Sequence, residues 1–346
     1  LSIGWRRADL YGGERCRNTP HHRGCLGVLP NWTADRSRLR LPHSPRREIA
    51  MHIEHELTSD DDKATILIEG LVRDLRILHV TDSHMAEGDD RDPDALEHVT
   101  IVGGRFAERT PGGVPAQQVF RETLQRGKEQ TLDAAAFTGD MIHFPSYRGI
   151  EVIAEGMAEL GVPTLYTLGN HDWHFPHLPW NNETRAEHYP RFHSITDGNP
   201  TCHAIEVEGV RLITIDNSNY QVTAEQVAFL REQLGKGQPS LLFIHIPICI
   251  ESLVPAVMEM WKAPIMMAAD EGWSEQTREQ WRVPGDEAAT RECHELLVSG
   301  DTANLAGIFC GHVHFPHADA YRDGRYQYVT TPGFAGGSRI IELKGR

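Results

Sequence analysis

Five short apolar runs in this chain end alike, each giving way at its carboxyl end to an Asp, an Asn or a His. "LRILHVT" leads to Asp82 and His84, "AAAFTG" to Asp140, "PTLYTLG" to Asn170 and His171, "SLLFI" to His245, and "LAGIFCG" to His312 and His314. Runs this short and apolar, bounded by turn residues, read as strands. Between them lie stretches with helical spacing: "AQQVFRETLQRGKEQ", "GIEVIAEGMAEL", "TAEQVAFLREQL" opened by Thr223 as N-cap, and "EAATRECHELLVS". Helices alternating with strands make an α/β fold, in which ligands bind outside the carboxyl ends of the strands. The polar side chains are therefore expected to meet in one crevice.

The remaining pattern adds a strand at "ATILIEG", the paired runs "HAIEVEG" and "VRLITIDN" around Gly209, and a β-rich tail of "HADAYR", "RYQYVTT" and "SRIIELK". This order predicts one mixed sheet, or a pair of sheets, flanked by helices. Two segments break the rhythm, residues 85–114 and 251–286, and are expected to be long connections of the kind that form lids or binding loops. The second is an insert bearing Trp261, Trp273 and Trp281. These tryptophans are expected to pack a satellite core rather than touch a substrate.

Residues 1–50 differ from the rest, with ten arginines, no lysine, four acidic residues and no periodicity. They are expected to be a disordered or artefactual extension, with Met51 a plausible natural start and a domain over 51–346. A targeting peptide is the alternative, although an apolar signal core is missing. Without them, 24 basic residues face 45 acidic ones. That field repels nucleic-acid polymers, which need Lys and Arg at their phosphates.

The longest apolar run, "LLFIHIPICI", is interrupted by His245 and is far shorter than the roughly 20 residues of a membrane span. No membrane partner is expected. The six cysteines form no C-x-x-C pair, so a reducing, cytoplasmic setting is the simpler expectation. Without a secretion signal, the glycosylation sequon at Asn182 carries little meaning.

Taken singly, an Asp after a strand is usually a turn and a lone His usually a core or surface residue. The conjunction weighs more. At ordinary residue frequencies a Gly-Asn-His-Asp tetrapeptide arises by chance in about 0.2% of chains of this length. Here it stands in order with D-x-H, G-D, a strand-end His and G-H-x-H. Carboxylates, an amide and imidazoles without a thiolate suit Mn, Fe or Zn in a reactive site better than a structural zinc. Asp140 could bridge two ions, one oxygen to each. Such a pair clamps an in-line displacement at phosphorus, so the set suits phosphate ester hydrolysis.

In "DSH" (82–84), "GD" (139–140), "GNHD" (169–172), "HIP" from His245 and "GHVH" (311–314), the chain resembles the calcineurin-like metallophosphoesterase superfamily, over about residues 75–331. The resemblance implies a four-layer αββα sandwich of two mixed sheets, with two divalent ions at one edge. It implies that Asp82, His84, Asp140 and His314 hold the first ion, and Asp140, Asn170, His245 and His312 the second. It further implies a hydroxide bridging the ions as nucleophile, His171 bonded to the scissile phosphate and protonating the leaving oxygen, and Asp172 holding the His171 ring.

"GDMIHFP" and "GNHD" depart from the GDxVDRG and GNHE of Ser/Thr protein phosphatases. His143 stands where purple acid phosphatases carry an iron-ligating tyrosine. The remaining resemblance is to the class III cyclic nucleotide and glycerophosphodiester phosphodiesterase branch, with a small phosphodiester as the expected substrate and a phosphomonoester as the alternative. A non-catalytic scaffold of the same fold would lack some of these residues, whereas every position is filled. His143, His174 and His177 could contact the phosphate or be surface histidines. Cys310 is expected to be a small buried strand residue.

Overall fold

The computed structural model describes residues 51–283, 285–300 and 302–346. Residues 1–50, expected to be an extension, lie outside the described residues. The strands are β1 (Ile53–Glu56), β2 (Lys63–Ile68), β3 (Leu75–Val80), β4 (Ala134–Thr138), β5 (Thr164–Thr167), β6 (Cys202–Val207), β7 (Val210–Ile215), β8 (Ser240–Phe243), β9 (Leu305–Cys310), β10 (His317–Arg322), β11 (Arg325–Val329) and β12 (Arg339–Gly345). The helices are α1 (Leu96–Ala107), α2 (Ala116–Lys128), α3 (Tyr147–Leu160), α4 (Asn182–His188), α5 (Ala224–Leu234), α6 (Val254–Trp261), α7 (Glu275–Trp281) and α8 (Ala288–Val298).

The strands form two six-stranded sheets, ordered β1-β2-β12-β3-β4-β5 and β10-β11-β9-β8-β7-β6. Both are mixed: β3, β4 and β5 run parallel in the first, β7, β8, β9 and β11 in the second, and antiparallel strands complete each. The apolar runs are continuous because these strands are covered on both faces. In β4, Ala134 and Ala136 join Phe243 and Phe309 of the other sheet in the core between the sheets. Ala135 and Phe137 point the other way and pack with Phe120, Leu124 and Ile153 of α2 and α3. On the far side, Val227, Leu230, Leu296 and Leu297 of α5 and α8 cover Ile213, Leu242 and Ile308. The result is the four-layer αββα sandwich.

Local chemistry sets several boundaries. Ser146 accepts from the Gly149 N–H at 3.0 Å and opens α3, and Thr223 opens α5 with a full capping box through Gln226. Glu208 and Gly209, both left-handed, make the two-residue turn between β6 and β7.

The two long connections differ from expectation. Residues 85–114 contain α1, and residues 251–286 contain α6 and α7. Trp261, Trp273 and Trp281 pack, partly buried, on the core beside α5 and α8. Trp261 does more: its Nε1 donates to the Val313 carbonyl at 2.9 Å and its ring stands edge-on to His314, centroids 5.5 Å apart.

Candidate metal centre

All five expected strand ends open onto one edge of the sandwich. β3, β4 and β5 come from the first sheet, β8 and β9 from the second. Hydrogen bonding continues past the ends of β3 and β4: Asp82 N–H donates to the Gly139 carbonyl at 3.0 Å and His84 N–H to the Asp140 carbonyl at 2.8 Å. Asp82, His84, Asp140, His312 and His314 all have φ between 47° and 69°. A left-handed non-glycine residue costs roughly 1–2 kcal/mol, so five of them commit a sizeable share of a domain's net stability. Backbone strain concentrated on side chains that face one another marks a functional cluster.

The motif glycines follow from close approach. A Cβ on Gly169 would sit 2.2 Å from Asp140 Oδ1, and one on Gly311 would sit 2.1 Å from Asp82 Oδ2. No side chain fits at either place.

Three donor groups lie together among the described residues; one, His84, His143 and His171, shares His84 with the first of the other two. Asp82, His84 and His314 form the first, with His84 Nε2 3.1 Å from His314 Nε2 and His314 Nε2 3.2 Å from Asp82 Oδ1. Asp140, His245 and His312 form the second. His245 Nε2 lies 3.3 Å from Asp140 Oδ2 and 3.2 Å from Asn170 Oδ1. Atoms bound to one ion at about 2.0–2.2 Å stand roughly 3–3.6 Å apart, so these spacings fit a metal ion in each group. Asp140 Oδ2 joins the groups, 3.3 Å from His245 Nε2 and 3.7 Å from His84 Nε2. Its Oδ1 instead accepts the His171 N–H at 2.8 Å. Where one oxygen to each ion was expected, a single oxygen, Oδ2, faces both groups.

Asp172 is also corrected. Its carboxylate does not hold the His171 ring; it accepts backbone N–H bonds from Gly169 at 2.7 Å, Asp140 at 2.9 Å and Ile142 at 3.2 Å. It therefore fixes the backbone that carries Asp140 and Asn170. The His171 ring stacks on His143, centroids 4.0 Å apart, and meets His84 edge-on. His143 Nδ1 in turn lies 3.0 Å from His84 Nδ1, which places it in the cluster. His174 bonds the Leu178 carbonyl through Nε2 and packs on Trp180, and His177 is exposed on Phe175, so neither joins the centre. Cys310 is fully buried in β9.

Electrostatics follows from burial and the shared carboxylates. Burial pushes His84, His143 and His312 well below the ordinary imidazole value. Burial lowers His245 too, but Asp140 outweighs it and raises the group to about 9. Burial and the charge of Asp140 raise Asp172. The Nδ1 of His245 faces the Thr138 carbonyl at 2.7 Å, which turns Nε2 toward Asp140 and Asn170.

Several contributors were not foreseen. Tyr220, left-handed at φ 69° and 3% exposed, places its hydroxyl 2.9 Å from His312 Nε2. Asn217 Oδ1 accepts from His245 N–H at 3.2 Å and Ile246 N–H at 3.1 Å, and so holds that strand end. Phe106 stacks on His84 at 4.5 Å. The usable signal for Phe106 was an apolar stripe over Leu96, Val99, Val102 and Phe106, which the pair Gly103 and Gly104 obscures.

Comparison with known proteins assigns the chain to a family. The calcineurin-like phosphoesterase family profile matches residues 75–316. A search of curated proteins finds no match. Among solved structures, the chain is similar to a dimetal phosphatase from Danio rerio, with TM-score 0.45 and 10% identity over 75% of this chain and 88% of that one. A purple acid phosphatase from yellow lupin is similar with TM-score 0.45 and 12% identity, over 79% of this chain and 47% of that one. By the profile match over most of its length, the chain belongs to the calcineurin-like phosphoesterase family and is a hydrolase of phosphoester bonds.

Proposed function

We propose that the chain hydrolyses a small phosphodiester at a centre of two divalent ions, Mn, Fe or Zn. The observation that carries this reading is the pair of donor groups joined by Asp140 Oδ2. Asp82, His84, Asp140 and His314 would hold one ion, and Asp140, Asn170, His245 and His312 the other. Bound there, two such ions supply Lewis acidity and an acidified water for in-line displacement at phosphorus.

The chain's own residues do the rest. His171 offers its ring N–H to a phosphoryl oxygen and passes a proton to the leaving oxygen, steadied by His143 stacked against it. Asp172 keeps Asp140 in register through the backbone. The donors that converge, among those described, are imidazoles, carboxylates and an amide, and one cation, Arg109, stands behind them with its guanidinium 5.4 Å over the Phe106 ring. The departures of "GDMIHFP" and "GNHD" from the motifs of the protein phosphatases and purple acid phosphatases support the diester.

The test compares bis-p-nitrophenyl phosphate with p-nitrophenyl phosphate as substrates of the full chain, loaded with Mn, Fe or Zn or treated with chelator. The diester is expected to be preferred, with turnover lost on chelation and in Asp140→Asn. His171→Ala is expected to lower kcat by about a hundredfold or more while both ions remain by metal analysis. Preference for the monoester would replace the diester reading, and full-rate His171→Ala would remove that residue from the chemistry.

A further inference from the structure

Beside the centre, α4, the loop after β7 and α7 line an open cleft of about 790 Å3. Clefts that bind small ligands are typically about 300–1,000 Å3. Trp180, Asn219, Gln221, Arg278 and Arg282 are on its wall. It adjoins the centre along two segments. Trp173 of the wall follows Asp172 in the chain, and Asn219 and Gln221 bracket Tyr220, whose hydroxyl lies 2.9 Å from His312 Nε2.

Gln221 is the residue that asks for a ligand. It is only 6% exposed. Its Oε1 accepts from the Glu287 N–H at 2.9 Å and the Thr290 hydroxyl at 2.7 Å, which fixes the orientation of the amide. Its NH2 group is buried and has no hydrogen-bond partner. An unmet buried donor is costly, and an acceptor on a bound molecule would satisfy it.

The rest of the wall defines the chemistry of that molecule. Four glutamates against two arginines make the lining net negative, which disfavours a second anion and leaves the phosphate to the centre. Trp180 packs against Trp173 and His174, ring centroids 4.5 and 4.8 Å away, with the Arg282 guanidinium 5.3 Å from its centroid, so the wall offers the rim of this aromatic group to the C–H groups of a ring. Carboxylates and amide oxygens accept from hydroxyls.

We propose that this cleft binds a neutral, hydroxylated ring, a sugar carried as the alcohol part of the ester. The assignment rests on the phosphoesterase reading above. Glucose 6-phosphate and p-nitrophenyl phosphate are the two probe substrates. In Gln221→Glu, which keeps Oε1 and removes the donor, and in Trp180→Ala, the ratio of kcat/KM for the sugar ester to that for the aryl ester is expected to fall at least tenfold. Glucose added to the chelated protein is expected to give saturable tryptophan quenching that Gln221→Glu weakens at least tenfold. Wild type that hydrolyses p-nitrophenyl phosphate but shows an unchanged ratio in both variants, or no glucose binding, overturns the cleft assignment alone. Wild type that hydrolyses neither these monoesters nor bis-p-nitrophenyl phosphate with any metal overturns the phosphoesterase reading, while glucose binding still reports on the cleft.

Discussion

Asp172 and Gly311 shape the centre without facing it. The Asp172 carboxylate collects three backbone N–H groups, and Gly311 leaves room for Asp82 where a Cβ would collide with Oδ2 at 2.1 Å. Both residues were legible in the sequence as motif members, but their roles were not. A carboxylate beside a histidine invites a ring-holding role, whereas the sharp turn after β5 aims it at the chain backbone. This role has a test in Asp172→Asn, which turns one acceptor into a donor facing N–H groups. The substitution is expected to destabilise the fold by about 2 kcal/mol and to lower bound metal, read by thermal melting and metal analysis. Full metal content with only the rate reduced would return Asp172 to the His171 ring.

At the scale of elements, β12 is held by a buried cation. Arg339, 2% exposed, donates to the Lys63 carbonyl of β2 at 2.9 Å, the Val329 carbonyl of β11 at 3.1 Å and the Thr330 hydroxyl at 3.1 Å. It thereby ties the first sheet to the second, with its guanidinium 5.2 Å from the Tyr328 ring centroid. Arg339→Met keeps the apolar stem but leaves two carbonyls unpaired. It is expected to cost about 3 kcal/mol, measured by urea unfolding. A loss below about 1 kcal/mol would mean that water replaces the guanidinium. Elements with strong periodicity, such as α2, α3, α5 and the central strands, matched the sequence reading. Those that Gly, Pro or brevity disguised, α1, α6 and α7, read as connections because helix propensity there is weak and tertiary packing supplies the stability.

For the whole molecule, acid is the informative stress. His79 lies fully buried between the sheets, bonded to Thr330 at 2.8 Å and Thr138 at 2.7 Å, and burial lowers it to about 3. Burial likewise lowers His55 to about 4. With the folded value below the ordinary 6.5, the unfolded chain binds the proton first. The stabilising contribution is complete above pH 6.5 and drains away as pH falls toward 3, on the order of 5 kcal/mol for His79. Melts of chelated protein are expected to show Tm falling between pH 7 and 4.5, with a shallower fall in His79→Gln. Equal slopes would assign the acid sensitivity to other groups.

The sandwich and the seven candidate ligands came from the resemblance, whereas the alternation of strands and helices and the polar residues at five strand ends were legible because each depends on residue type and spacing, which a linear string records. The direction of a carboxylate was not, since Asp140 Oδ1 and Asp172 are spoken for by N–H groups placed only when β4 and β5 lie side by side. Nor was the company each ligand keeps. Phe106, Asn217, Tyr220 and Trp261 reach their partners across long stretches of chain, and only packing decides which side chains meet.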